Sequence, residues 1–308
     1  MTTSTNSVRR VAISGSTGFI GSAIVARLKE EGWQVTPIVR PQTSRISSQM
    51  TIQWDPAQGM MDAEALDGYE VVIHLAGTNI AGKRWSPAYK DSILQSRIKS
   101  TDLLSQTISK LRNPPKLFLS ASAVGFYGTH ASSEIIDETS SQGNDFLADV
   151  CAQWEKATKI VEKVGVRAVQ MRFGMVVGKN GGALAKMLPI FNLGLGGKLG
   201  HGQQMMSWIA LPEIPEIILD LIQNNSLRGP VNLVSPQAVS NAEFTRVLSQ
   251  AIRRPAVFPV PSMGIKMFFG EMGQTLLLEG ANVYPRRLLK AGYKFKYPDL
   301  NSVLKAIF

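Results

Sequence analysis

Gly15, Gly18 and Gly21 recur at three-residue spacing in the run Gly15-Ser16-Thr17-Gly18-Phe19-Ile20-Gly21, directly after a short apolar stretch. The chemistry of that spacing is anion binding. A glycine at 15 permits a tight turn, one at 18 lets backbone N–H groups approach a pyrophosphate, and one at 21 permits close helix-to-strand contact. The pyrophosphate would sit at a helix N-terminus, where free N–H groups and the dipole favour negative charge. The pattern predicts a dinucleotide site, and the end of the second strand predicts which dinucleotide. A carboxylate there would bind the ribose 2′-hydroxyl of NAD. This strand ends instead on Val39-Arg40, and no Asp or Glu lies between Glu31 and Asp55. An arginine suits a 2′-phosphate, so the expected cofactor is NADP(H), with Arg40 as the phosphate ligand. The alternative is that Arg40 only solvates the strand end.

Other chemistries are poorly supplied. The single cysteine, Cys151, can form no internal disulfide, and with only His74, His130 and His201 beside it no metal site is expected. No apolar run is long enough to span a membrane, and the opening MTTSTNSVRR has no apolar signal core, which predicts a cytoplasmic protein. At 44% hydrophobic and 18% charged residues the chain is neither disordered nor fibrous. Lys and Arg number 33 against 23 Asp and Glu, a net charge of +10. Between Phe244 and Tyr297 nine bases face only Glu271 and Glu279. Such a lobe attracts a phosphorylated cofactor, an anionic substrate, nucleic acid, an acidic protein partner or an acidic membrane surface; the bland alternative is a solvated face. No aromatic–basic stacking pattern accompanies it, so nucleic acid is not the expected partner.

The elements that must hold the glycine turn alternate strand and helix, the mark of a parallel sheet covered on both faces. Strands are expected at Val11–Ser14, Gln34–Arg40 (with Pro37 a flaw for an interior strand), Thr51–Trp54, Glu70–Ala76, Lys116–Ser120 and Arg167–Phe173. Helices are expected through Ala23–Leu28, from a Ser86 cap with Pro87 first in the helix, and over Phe146–Val164. The glycine-rich segment 178–202 reads as a loop covering a substrate or cofactor. A strand at 231–235, a helix over Asn241–Ile252, and helical segments around Tyr284–Ala291 and Leu300–Ile307 complete the chain. The expected fold is α/β, a Rossmann-type doubly wound sheet over residues 9–178 with a small C-terminal α/β lobe over 179–308. Residues 229–236 are expected to add to the sheet.

The GSTGFIG turn, HLAG at 74–77 and SASAVGFYG at 120–128 resemble the extended short-chain dehydrogenase/reductases. RWSPAYKDSILQSRIKST (84–101), DFLADVCAQWEKA (145–157) and LLLEGANVYPRRLLKAGYKFKYPDL (276–300) resemble more narrowly their epimerase-family branch, some members of which were once named cell-division inhibitors. The resemblance covers nearly the whole chain. It implies that Gly15, Ser16, Thr17, Gly18, Phe19, Ile20 and Gly21 hold the pyrophosphate and Arg40 the adenosine phosphate. It further implies that Leu75, Ala76, Gly77, Arg97 and Ser120 line the cofactor and that Val176 packs near the nicotinamide.

Hydride transfer in this superfamily normally uses a tyrosine and a lysine four residues later on the helix after the fifth strand. None of the tyrosines 69, 89, 127, 284, 293 and 297 has lysine at that spacing. Ser122 resembles the serine that holds a substrate carbonyl, and Tyr127 is the candidate substitute acid. Packed aromatic is the alternative for Tyr127, as buried core is for Cys151. Relatives also carry histidine and aspartate where Ala210 and Pro212 stand, so the polar pair anchoring that region is missing. Two functions follow: an NADP(H)-dependent oxidoreductase or nucleoside-sugar-epimerase-like enzyme acting on a small molecule, or a non-catalytic NADP-binding regulatory or scaffold protein linked to cell division.

Overall fold

The expected alternation is the observed one. The computed structural model describes residues 8–41 and 50–308, so the first part of the polar opening segment lies outside the described residues. In chain order the first half runs β1 (Arg10–Ser14), α1 (Phe19–Glu30), β2 (Gln34–Val39), β3 (Ile52–Asp55), β4 (Met60–Met61), α2 (Ala63–Leu66), β5 (Val71–His74), α3 (Pro87–Ile108), β6 (Leu117–Ala123), β7 (Ile135–Ile136), α4 (Phe146–Lys156), α5 (Lys159–Glu162) and β8 (Arg167–Phe173). The rest runs β9 (Met175–Val177), α6 (Gly182–Asn192), β10 (Met205–Met206), β11 (Trp208–Ala210), α7 (Glu213–Gln223), β12 (Gly229–Leu233), β13 (Val239–Ser240), α8 (Asn241–Ile252), α9 (Ser262–Gly273), β14 (Asn282–Val283), α10 (Arg286–Lys290) and α11 (Leu300–Ile307).

Eight strands form the main sheet in the order β12-β8-β6-β5-β1-β2-β3-β4, parallel except for the antiparallel β3–β4 pair. The order reverses between β1 and β5, which opens a crevice at their carboxyl ends. Alternate strand residues feed opposite faces. Val11, Ile13, Val71, Ile73, Leu117 and Leu119 join Ile24, Leu28, Ile214 and Ile218 of α1 and α7 in one core. Ala12, Val72 and Phe118 join Leu104, Ile108 and Val161 of α3 and α5 in the other. Each such fully buried aliphatic side chain contributes about 1.5–3 kcal/mol, which is why the period-two pattern dictates the register. A third core, around Trp208, Phe244, Leu248 and Leu304, holds the C-terminal lobe together.

Three departures have local causes. Pro37 does lie in an interior strand, paired with Ile13, but β3 reaches only Ile38 and Val39, so the proline sits before that neighbour begins. The helix expected over 146–164 breaks into α4 and α5. Thr158, wholly buried, donates to the Glu155 carbonyl at 2.7 Å and accepts from Gln170 Nε2 at 2.6 Å, which draws the backbone out of the helical ladder. The glycine-rich segment is not all loop: its apolar middle winds into α6 between glycine-bearing flanks. Helices α7 and α9 were not expected. No described helix is long and apolar enough to cross a membrane.

Candidate functional site

The glycine run turns tightly where β1 meets the crevice. Gly15 adopts φ +71°, and a Cβ on it would lie 3.1 Å from the Leu75 carbonyl carbon and 3.2 Å from the Ala76 nitrogen. A Cβ on Gly21 would lie only 2.1 Å from the Gly15 oxygen. Gly18 N–H closes the turn on Gly15 O at 3.0 Å and starts α1 with no side-chain cap and no acidic residue in its first turn. The helix therefore presents uncapped N–H groups at a backbone cradle, and that donor set fits a pyrophosphate. Thr17 is exposed and Ser16 half-buried at the rim, while the Phe19 ring packs on the backbone of Gly178 and Gly181. Ile20, Leu75 and Val176 are partly buried and each packs against the core on the α1 side of the sheet.

A buried histidine ties the turn to β5. His74 Nδ1 lies 2.7 Å from Ser14 Oγ, and Nε2 lies 3.1 Å from Ser100 Oγ. Ser100 donates its own proton to the Ser96 carbonyl at 2.6 Å, so His74 Nε2–H donates to Ser100 and Nδ1 accepts from Ser14. Ser14 Oγ in turn accepts the Leu75 N–H at 3.2 Å. Burial, with a smaller push from Arg97, lowers the imidazole pKa to about 3. The unfolded chain binds a proton at this residue below about pH 6.5 while the folded protein does not. Stability is therefore present above that pH and is lost as pH falls toward 3. We expect about 3 kcal/mol to be lost through this residue between pH 7 and pH 4. Urea unfolding at both pH values should show that slope in the native protein and a flatter one in His74→Gln; equal slopes would refute the assignment.

At the other end of the crevice Arg40 is exposed. With Pro41, Asp55 and Ala57 it lines a cavity of about 380 Å³. The Asp55 carboxylate accepts the Ala57 N–H at 2.9 Å, so it serves its own turn beside the arginine. Arg97 reaches from α3 to the backbone of Gly77, donates to the Ile93 carbonyl at 3.0 Å and lies 5.0 Å from the Trp154 ring. Burial lowers its pKa, and among the described residues it has no carboxylate ion-pair partner. Ser120 lies within β6 beside His74, buried, with its hydroxyl 3.4 Å from the Ala121 carbonyl, back from the strand end.

The candidate reactive groups belong to one buried network. Ser122 Oγ donates to Glu155 Oε1 at 2.7 Å, and Arg172 grips the same carboxylate with Nε at 2.7 Å and Nη2 at 2.8 Å. Arg172 Nη1 also donates to the Tyr127 hydroxyl at 2.9 Å, and that hydroxyl donates to Asn232 Oδ1 at 2.7 Å. Tyr127 is wholly buried, and burial pushes its phenol up to about 12. A phenol so placed has its proton committed to Asn232, which favours the packed-aromatic alternative. Cys151 is core as well: burial first, then the Glu155 charge, push its thiol up to about 12. Cys151 and Glu155 share one face of α4 at the spacing of the missing tyrosine and lysine. Glu155 and Arg172 escaped the sequence reading, although an arginine inside the apolar strand RAVQMRF was a visible signal of a buried partner.

The sequence profile described as the NAD dependent epimerase/dehydratase family matches residues 11–254. The chain belongs to the NAD-dependent epimerase/dehydratase family. A second profile, a domain of unknown function (DUF1731), matches residues 260–307. The chain is 39% identical over 294 residues to the epimerase family protein Mb2239 of Mycobacterium bovis, covering 96% of each. Human epimerase family protein SDR39U1 (isoform 2), solved with NADPH, superposes with a TM-score of 0.87 at 34% identity, covering 97% of this chain and 98% of that one. A nucleoside-diphosphate sugar epimerase of Corynebacterium glutamicum superposes at 0.79 with 30% identity; this chain is covered over 98% and that one over 58%.

Positions 210 and 212 carry no polar pair in this epimerase-family chain, and the carboxylate of the next residue holds a later segment instead. Glu213, buried at the start of α7, accepts from the Tyr293 hydroxyl at 2.6 Å, Lys296 N at 3.1 Å and Tyr297 N at 2.9 Å. One carboxylate thus pins the 293–297 segment to the start of α7. His201 is exposed and accepts the Gln203 N–H at 2.9 Å, which makes it a turn residue.

Proposed function

We propose that the chain binds NADP(H) across the carboxyl ends of β1 and β5 and acts on a small molecule as a short-chain dehydrogenase/reductase-type enzyme. The observation that carries this reading is the uncapped glycine cradle at α1, with Arg40 standing at the end of β2 where an NAD site would place a carboxylate. The NADPH solved with human SDR39U1 supports the same choice. Gly15 to Gly21 receive the pyrophosphate, Arg40 the 2′-phosphate, and Leu75, Ala76 and Gly77 the edge facing β5. Arg97, a half-buried cation with no carboxylate partner among the described residues, offers its charge at Gly77. Bound there, the nicotinamide would supply or accept a hydride.

Ser122 is our assignment for the group meeting the substrate. Its proton is held on Glu155 Oε1, so its lone pairs remain to accept a hydrogen bond from a ligand hydroxyl. Arg172 keeps Glu155 charge-balanced, and Tyr127 positions Arg172. A second reading, binding without turnover in a regulatory or scaffold protein, is favoured by one observation: Glu155 is locked to Arg172 where the superfamily's lysine would free a proton route.

Titration with NADPH and NADH, followed by nicotinamide fluorescence, tests the reading. The native protein should prefer NADPH, and Arg40→Ala should weaken NADPH about tenfold to a hundredfold while leaving NADH unchanged, the range for hydrogen bonds to a charged group. Equal affinities in the native protein would overturn the NADP assignment. NADPH binding without oxidation across a panel of carbonyl substrates would put the non-catalytic reading first.

A further inference from the structure

Around α9 lies an apolar surface that none of the described residues covers. On α9, Met263 is 80% exposed, Met267 67% and Phe268 71%. Beside it Val257 is 70% exposed and Phe258 54%. Phe258 N–H donates to Gly196 O at 3.1 Å and Val260 N–H to Lys198 O at 2.9 Å, which aligns this strip with Leu195, itself 53% exposed. Soluble surfaces carry single exposed apolar residues, but they rarely gather several large ones on one contiguous strip.

The charges among them have one sign. Lys198, Arg253, Arg254 and Lys266 are all exposed within the same segments. No acidic residue occurs from Lys163 to Pro212 or from Phe244 to Gly270. A second copy of the chain would have to place this basic surface against itself about a twofold axis, which like charge disfavours. Protein interfaces are depleted of lysine, and two of the four bases here are lysines. Exposed Met, Phe and Val with interspersed Lys and Arg supply the two attractions that a peripheral membrane site needs: apolar insertion and charge against acidic headgroups.

We propose that the face formed by the start of α9 and the strip 193–198 with 253–260 docks on an anionic lipid membrane. Met263, Met267 and Phe268 enter the headgroup–acyl boundary while the four bases meet lipid phosphates. The chain would bind from one side without spanning the bilayer.

Flotation of the full chain with vesicles of phosphatidylcholine, alone or mixed with phosphatidylserine, tests this. The protein should float with the mixed vesicles and stay behind with neutral ones, and added salt should release it. Removing each base, as in Lys266→Gln or Arg254→Gln, should weaken binding about fivefold. Met267→Asp with Phe268→Asp should abolish it; both side chains face solvent, and an unchanged thermal midpoint will confirm folding. Failure to float with the acidic vesicles, or equal binding to neutral ones, overturns the proposal. So does a concentration-dependent dimer in sedimentation equilibrium that the aspartates dissolve, because a second copy would then own the surface.

Discussion

Replacing Gly21 with valine is expected to abolish dinucleotide binding, weakening NADPH by more than about a hundredfold. A Cβ at this position would meet the Gly15 oxygen at 2.1 Å, and the obstructing atom is backbone in the same turn that must hold the pyrophosphate. Either α1 moves away from β1 or the turn opens, and both moves pull the Gly18 cradle apart. Overpacking of this kind also costs about 1–3 kcal/mol of stability, since β1 lies at the centre of the sheet. Gly264→Ala is the matched control. It sits in α9 with nothing within 4 Å of its built Cβ, and alanine there should leave NADPH affinity unchanged while adding a fraction of a kcal/mol of helix stability. Fluorescence titration and thermal unfolding of both variants decide the matter. Near-native affinity in Gly21→Val would remove the glycine turn from the cofactor site.

The second large effect concerns the ion pair behind Ser122. Glu155→Leu should destabilise the fold by about 3–5 kcal/mol, because it leaves the Arg172 guanidinium buried without its carboxylate. Arg172→Met should cost a similar amount by orphaning Glu155. The double variant Glu155→Leu, Arg172→Met should recover much of the loss, since the pair's mutual attraction only roughly repays its own desolvation. For comparison, the exposed pair Arg246–Glu243 should contribute little to stability despite its 2.6 Å contact, because solvent screens it. Urea midpoints of the four buried-site proteins form a complete cycle. Additive losses would mean that the two groups do not act as a pair.

Much of this protein is local, and what is local was legible. Alternating apolar residues placed the six main strands of the first half, because a one-residue slip would turn Val11 and Ile13 away from their core. Ser86 accepting from Tyr89 N at 3.2 Å, with Pro87 behind it, began α3 where capping chemistry required. The glycine turn was legible for the same reason: its spacing, positive φ and close approach are properties of seven consecutive residues.

What the sequence left undecided depends on residues that meet only in three dimensions. Tyr127 could be acid or packing until Asn232, 105 residues away, took its proton. Arg172 and Glu155 are separated by 17 residues and lie on different elements with α5 between them, so no periodicity pairs them. Glu213 holds the 296–297 segment through partners more than eighty residues distant, which no local pattern announces. Helix α9 was not legible because four of its six large apolar residues face outward, where periodicity implies a core. Spacing reveals which groups share a face of one element. Which groups share a proton or a charge is decided by where β6, β8, β12 and α4 bring their ends together, and that belongs to the tertiary fold.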